Sequence, residues 1–153
     1  CTIYQMITID IANQTLKHQD KTYSISSAEN GVGEVEGSYC TPTGQFKIAE
    51  KIGADLQMGS VLVAREPTGE IFSKELFNQN PGRDWILTRI LWLEGLEEHN
   101  SNTKDRYIYI HGSPDKTPMG VPGSKGCIRM HNQDVIELFD HVQTGEDVVI
   151  MNP

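Results

Sequence analysis

Residues 111–130 read His-Gly-Ser-Pro-Asp-Lys-Thr-Pro-Met-Gly-Val-Pro-Gly-Ser-Lys-Gly-Cys-Ile-Arg-Met. This stretch holds a histidine and a cysteine that folding can bring together, and small residues frame the cysteine. That is the makeup of a thiol acylation site. A thiol attacks as its thiolate, and a nearby imidazole can take the proton. Gly126, directly before Cys127, has no side chain, so backbone N–H groups can gather around a developing oxyanion.

Outward from this block the chain reads as short strands. Thr2 to Ile11 alternates apolar and polar residues, the period of a half-buried strand. Lys21 to Ser26 is expected to return as its partner across a turn at His18 to Asp20. Gly31 to Gly37 is rich in glycine and glutamate, which favours an exposed connection. Phe46 to Ile48, Val61 to Ala64, Ile86 to Leu93, Arg106 to Ile110 and Val148 to Met151 read as further strands, with turn formers such as Pro67-Thr68-Gly69 and Pro81-Gly82 between them. Many short strands at this spacing mean a sandwich or barrel. Val135, Leu138, Phe139 and Val142 fall at helical spacing, with Asn132 or Asp134 as a start and Gly145 as a stop. One helix of about ten residues is therefore expected to cover an end of the β structure. The expectation is a mainly β domain capped by a single α-helix, one domain over residues 1–153.

The sequence resembles the L,D-transpeptidase family, also called the YkuD domain. Its signature is His-Gly-Ser/Thr, a spacer, then Ser-x-Gly-Cys, an apolar residue and Arg or Asn. Here these are His111-Gly112-Ser113, Ser124-Lys125-Gly126-Cys127 and Ile128-Arg129, while Thr41-Pro42-Thr43-Gly44-Gln45-Phe46-Lys47-Ile48 resembles the family's Thr-Pro-x-Gly-x-Phe/His-x-Ile segment. The resemblance implies the family's sandwich or barrel of short strands. It also implies an acyltransferase with Cys127 as nucleophile, His111 as base and the Gly112 carbonyl orienting the ring, in place of a triad carboxylate. The Gly126 and Cys127 amides are then the oxyanion donors.

The implied substrate is the peptidoglycan stem peptide, as donor and acceptor. Cys127 forms a thioester with release of D-alanine, and a stem amine resolves it into a 3→3 cross-link. Water, a free D-amino acid or a protein lysine as acceptor would make a carboxypeptidase, an exchange enzyme or an anchoring enzyme. A peptidoglycan-binding module without turnover is the reading from a different class. No cofactor is implied, because the chemistry is proton and acyl transfer. The implied location is the periplasm or the outer wall face, and a carbapenem is the expected acylating probe.

The remaining candidates keep two readings each. Lys125 stands where the family commonly has histidine; it lends charge to the thiolate or a substrate carboxylate, or is a solvated lysine. Arg129 binds a carboxylate in bidentate fashion or braces the loop. Ser124 contacts substrate or shapes the turn. His131, four residues past Cys127, is the alternative base or a surface residue leading into the helix, and Cys127, His131 and His111 could be zinc ligands, without a convincing fourth. His18 is read in a hairpin turn, His99 in a polar loop and His141 near a helix C-terminus. The long stretch between Arg65 and Asp105, which holds Trp85 and Trp92, lines a substrate cleft, or Trp92 and Leu93 are core residues of a strand.

With 21 acidic against 13 basic side chains the formal charge is −8, which argues against a surface that tracks nucleic-acid phosphates. The longest apolar stretches fall far short of the roughly 20 residues that span a bilayer. The chain opens on Cys1 with no signal segment, so a targeting segment removed upstream is one reading and a lipid-bearing Cys1 another. A Cys1–Cys40 disulfide that leaves Cys127 free is a third.

Overall fold

The structure, a computed structural model, describes residues 6–153. Ten strands form one sheet: β1 (Ile7–Asp10), β2 (Thr15–His18), β3 (Lys21–Ser26), β4 (Gly44–Ile52), β5 (Ser60–Val63), β6 (Glu66–Ile71), β7 (Ile86–Gly95), β8 (Tyr109–Ser113), β9 (Ile128–His131) and β10 (Asp147–Met151). Helix α1 (Lys74–Gln79) precedes β7, and helix α2 (Asn132–His141) follows β9 without a break. The mainly β architecture with one principal helix agrees with the pattern read from the sequence.

The strand order is β4-β10-β1-β2-β3-β9-β8-β7-β5-β6, and β4 also pairs with β7, which closes eight strands into a barrel. Closure removes the open edges that a flat sheet would expose. Ile7, Ile9, Leu16, Ile25, Phe46, Ile48, Leu91, Leu93, Ile110, Ile128, Val148 and Ile150 turn inward into one cluster, joined by Val135, Leu138 and Phe139 of α2. These are alternate residues on their strands, as the pleat requires. β5 and β6 extend the sheet beyond the barrel from the N-terminal half of β7, through Val61↔Leu87 and Leu62↔Ile86.

The structure corrects several expectations. β1 pairs with Thr15–His18, an additional strand, and Lys21–Ser26 pairs with that strand in turn. The turn is shorter than expected, with Gln19 at φ 55°, and His18 lies in the sheet, 3% exposed, its Nε2 2.8 Å from Glu146 Oε2. Pro67-Thr68-Gly69 lies inside β6 rather than in a turn. The reversal is made by Ala64 and Arg65, both at positive φ, the two-residue hairpin geometry whose twist matches the strands. Proline is tolerated there because β6 is the outer strand of the sheet.

The expected strand Arg106 to Ile110 begins later, at Tyr109, and runs through Ser113. Residues 101–107 form turns instead, with Tyr107 at φ 57° and its N–H donating to Lys104 O at 3.0 Å. The six-residue α1, capped by Ser73 Oγ accepting from Leu76 N at 3.0 Å, has no counterpart in the sequence reading. Cys40 and Cys127 form no disulfide among the described residues, and the expected Cys1 partner lies outside them.

Candidate active site

β8 and β9 run parallel, with Ile110 opposite Ile128 and His111 opposite Arg129. Ile110 and Ile128 point into the barrel. Alternation therefore turns His111 and Arg129 to the outer face. Cys127, the residue before β9, packs on that same outer face against Leu62, Ile90 and Tyr109. Ile90 is the cross-strand partner of His111 on β7, and Tyr109 stands two residues before it on β8. The sheet thus brings the sulfur and the imidazole to one face of two neighbouring strands, which lie about 4.8 Å apart. His111 is within the strand rather than at its end, 2% exposed.

His111 Nδ1 lies 2.7 Å from the Gly112 carbonyl oxygen. A carbonyl only accepts, so Nδ1 carries the proton and the neutral ring keeps an unprotonated Nε2. The ring is held by the backbone carbonyl that the family resemblance implies. Gly112 has no room for a side chain: an added Cβ would run into Asn132 Oδ1 and lie 2.6 Å from Leu87 O.

The sulfur accepts a hydrogen bond from Tyr109 N at 3.3 Å and donates one to Tyr107 O at 3.4 Å. Burial pushes its thiol up to about 12, against a smaller downward pull from the Tyr109 N–H; Asp84 raises it further, and Arg129 and Arg106 oppose that. Burial also lowers the His111 imidazole below its ordinary range, opposed by the Gly112 carbonyl and Asp84, while Arg129 adds to the lowering. Both effects favour the uncharged forms. Burial at the site thus works toward a thiol and a neutral imidazole and against a preformed ion pair.

The turn carrying the nucleophile is braced from inside. Ser124, 4% exposed, donates from Oγ to Cys127 O at 2.5 Å and accepts from Gly126 N at 3.2 Å. Of the two readings left open for Ser124, these bonds are those of a residue that shapes the turn. The Gly126 amide, expected at the oxyanion, is engaged by the same hydroxyl. Gly126 itself has φ 128°, and an added Cβ would lie 3.2 Å from Cys40 O. Thr41, fully buried, donates from Oγ1 to Gly126 O at 2.9 Å and accepts from Ala28 N.

Arg106 spans the opposite side, with Nη2 donating to Cys40 O at 2.7 Å and Nη1 to Gly33 O at 3.1 Å. Neither Arg106 nor Asp84 carries a sequence signal, since both act through tertiary proximity. Thr41 belongs to the upstream motif, but nothing in that motif says which backbone it holds.

A cavity of about 700 Å³ adjoins this face, walled by Phe72, Phe77, Asp84, Trp85, Asp115 and Arg129 among others. Phe72 and Phe77 come from the β6–α1 region, so the segment between Arg65 and Asp105 does line a cleft, with Trp85 in its wall. Trp92 instead packs against Tyr107 and Tyr109 beside the sulfur. Arg129 lines the cavity, its Nη1 donating to Gly123 O at 3.0 Å and its Nη2 lying 3.8 Å from Asp84 Oδ1. Lys125 is exposed at a smaller recess of about 250 Å³ with Tyr39, Asp105, Arg106 and Tyr107.

His131 lies at the entry to α2, next to Ser113 across the sheet, with no side-chain cap bond. His99 Nε2 meets Thr43 O at 2.9 Å and His141 Nδ1 meets Glu137 O at 2.8 Å. Among the described residues no group of three or more His, Cys, Asp or Glu is arranged to hold a metal ion. No helix among them is long and apolar enough to cross a membrane.

The chain is similar to known proteins in sequence and in fold. The chain is 36% identical over 97 residues to YkuD of Bacillus subtilis, covering 62% of this chain and 50% of that protein. It is 28% identical over 149 residues to YkuD of Bacillus licheniformis, covering 97% of this chain and 67% of that protein. Both are named as L,D-transpeptidases. The chain thus spans about half to two thirds of the length of these relatives. L,D-transpeptidase 3 from Mycobacterium tuberculosis, solved with a faropenem-derived adduct, shares the fold with a TM-score of 0.57 at 16% identity, over 96% of this chain and 60% of that one. The profile of the YkuD family, the L,D-transpeptidase catalytic domain, matches residues 4–150, and the chain belongs to that family.

Proposed function

We propose that this domain is a cysteine-dependent L,D-transpeptidase acting on peptidoglycan stem peptides. The observation that carries the reading is the shared outer face of β8 and β9, which holds both Cys127 and a histidine whose Nδ1 is fixed by the Gly112 carbonyl. The adjoining cavity offers the apolar surfaces of Phe72, Phe77 and Trp85 together with Arg129, whose guanidinium also faces Asp84 at 3.8 Å and would exchange that partner for a peptide carboxylate.

Cys127 Sγ attacks the carbonyl carbon of the amide between the L-centre of the third stem residue and the terminal D-alanine. The sulfur's proton passes to His111 Nε2, a carbon–sulfur bond forms, and the carbonyl electrons move onto oxygen. Collapse of this intermediate breaks the carbon–nitrogen bond, and the imidazolium returns its proton to the departing D-alanine amine. An acceptor stem amine then attacks the thioester and frees the thiol. Because burial favours the uncharged forms of both groups, proton transfer in this reading accompanies attack.

The Cys127 amide serves the oxyanion, and the Gly126 amide joins it by exchanging its Ser124 partner for the substrate oxygen. The cell-wall location follows the family reading, which does not choose among acceptors. Incubation with purified tetrapeptide muropeptides, followed by mass spectrometry of the products, tests the assignment. A 3→3 cross-linked dimer with released D-alanine is expected. A tripeptide alone would make the domain a carboxypeptidase, an exchanged terminal residue an exchange enzyme, and unaltered muropeptides would sink the transpeptidase reading in favour of a binding module.

A further inference from the structure

The strongest unassigned feature lies behind the histidine. Thr88, completely buried, has φ 76°, a region that a β-branched residue rarely enters. It stands in a bulge of β7, where the register to β8 shifts between Leu87 and Ile90. Such a conformation persists only where its surroundings over-determine it. They do so here. Arg89 Nη1 donates to both Thr88 O and Leu56 O at 2.8 Å, clamping the bulge. Thr88 Oγ1 accepts from Gly59 N at 3.0 Å and donates to Asn132 Oδ1 at 2.6 Å. Asn132, 5% exposed, is the first residue of α2.

Gly112 is pressed against this pair. A Cβ there would collide with Asn132 Oδ1 and approach Thr88 Cβ to 3.2 Å, and Gly112 pairs with Leu87 on one side and Met130 on the other. The Gly112 backbone is therefore packed closely against this pair, and its carbonyl is the one that holds His111 Nδ1. We propose that Thr88 and Asn132 are positioning residues for His111, setting its Nδ1–H tautomer and ring orientation through the Gly112 peptide. The proposal rests on the assignment of His111 as base. The bulge places a hydroxyl where a regular strand would not, and the hydroxyl locks the start of α2 against the site. Misplacement of a reacting group by about 1 Å can cost on the order of 10²-fold in rate.

The test compares wild type with Thr88→Val, which keeps shape and removes the hydroxyl, and Thr88→Ser, which restores it. The His111 ring is read by ¹⁵N NMR on histidine-labelled protein, assigned with a His111→Gln variant, and the acylation rate is measured with faropenem. Wild type and Thr88→Ser should show the Nδ1–H tautomer. Thr88→Val should shift toward a mixture of tautomers and lose roughly tenfold or more in acylation rate. Asn132→Leu provides the same comparison if Thr88→Val does not fold. A folded variant that keeps the wild-type tautomer overturns the proposal, whether or not its rate falls. If wild type fails to acylate at all, the transpeptidase reading falls, while the tautomer comparison still decides this one.

Discussion

Thr41 and Gly126 are 85 residues apart in the chain and joined by a 2.9 Å hydrogen bond from the Thr41 hydroxyl to the Gly126 carbonyl. The same hydroxyl accepts from Ala28 N, so one buried oxygen ties the start of the upstream motif, the end of the first β-meander and the nucleophile turn together. Thr41→Val keeps the volume and strands both backbone groups. The expected cost is about 1–3 kcal/mol of stability for buried groups left unpaired, together with slower acylation. Urea unfolding and acylation kinetics on the same sample check it, and an unchanged midpoint would contradict the brace.

Gly126 is the second point of control on that turn. With φ at 128° and Cys40 O 3.2 Å from where a Cβ would go, Gly126→Ala is strained in any arrangement. A destabilisation of roughly 1–3 kcal/mol is expected, with loss of acylation larger than that of Thr41→Val because the turn sets the sulfur's direction. Circular dichroism melts and adduct formation measure the two effects separately.

The pH dependence follows from two groups whose uncharged forms are favoured by burial. His111 is lowered by burial, so the imidazole stays available as a base down to pH values below its ordinary 6.5, and acylation should fall only under that range. Cys127 is raised to about 12, so no alkaline limb from thiolate formation should appear below pH 9. A preformed thiolate–imidazolium pair would instead lose activity as its imidazolium titrates. For stability the signs also differ. The unfolded chain binds the histidine proton more readily than the folded one, so the His111 contribution falls as pH drops below 6.5. The folded chain keeps the Cys127 proton that the unfolded chain releases near 9, so that contribution declines as pH rises from 9 toward 12. A pH–rate profile and denaturant midpoints across pH 4–10 check these directions.

Arg129 links turn and cavity. Removing its charge with Arg129→Met should raise KM for stem peptides by about tenfold, the scale of one hydrogen bond to a charged group, and change kcat less. Equal losses in both constants would assign Arg129 to bracing the Gly123 carbonyl alone.

Much of this was legible in the sequence because it is local. The alternation around Ile7 and Ile9, the helical spacing of Val135, Leu138 and Phe139, and the Gly126-Cys127 pair each act within a few residues. The β2 strand was not legible, because Thr15 to His18 carries one apolar residue, Leu16, and is held by neighbours on both sides. Pro67 and Gly69 carry turn chemistry, yet Ala64 and Arg65 make the reversal, since pairing with β5 sets the register. At the site, His111, Gly112 and Cys127 stood in the motif. Asp84, Arg106, Thr88 and Asn132 did not, because their roles depend on which backbone lies against them after closure of the barrel. For Ser124 the sequence left substrate contact and turn shaping open, and only the fold shows the hydroxyl bonded within the turn.

The covalent fate of the sulfur tests the account most directly. Wild type, Cys127→Ala, His111→Ala and His131→Ala are each incubated with a carbapenem and with faropenem, and intact masses and digested peptides are read by mass spectrometry. The account predicts an adduct on the peptide containing Cys127 in wild type and His131→Ala, none in Cys127→Ala, and acylation slowed by on the order of 10²-fold or more in His111→Ala. An adduct that persists in Cys127→Ala, or a wild-type rate in His111→Ala, would contradict it.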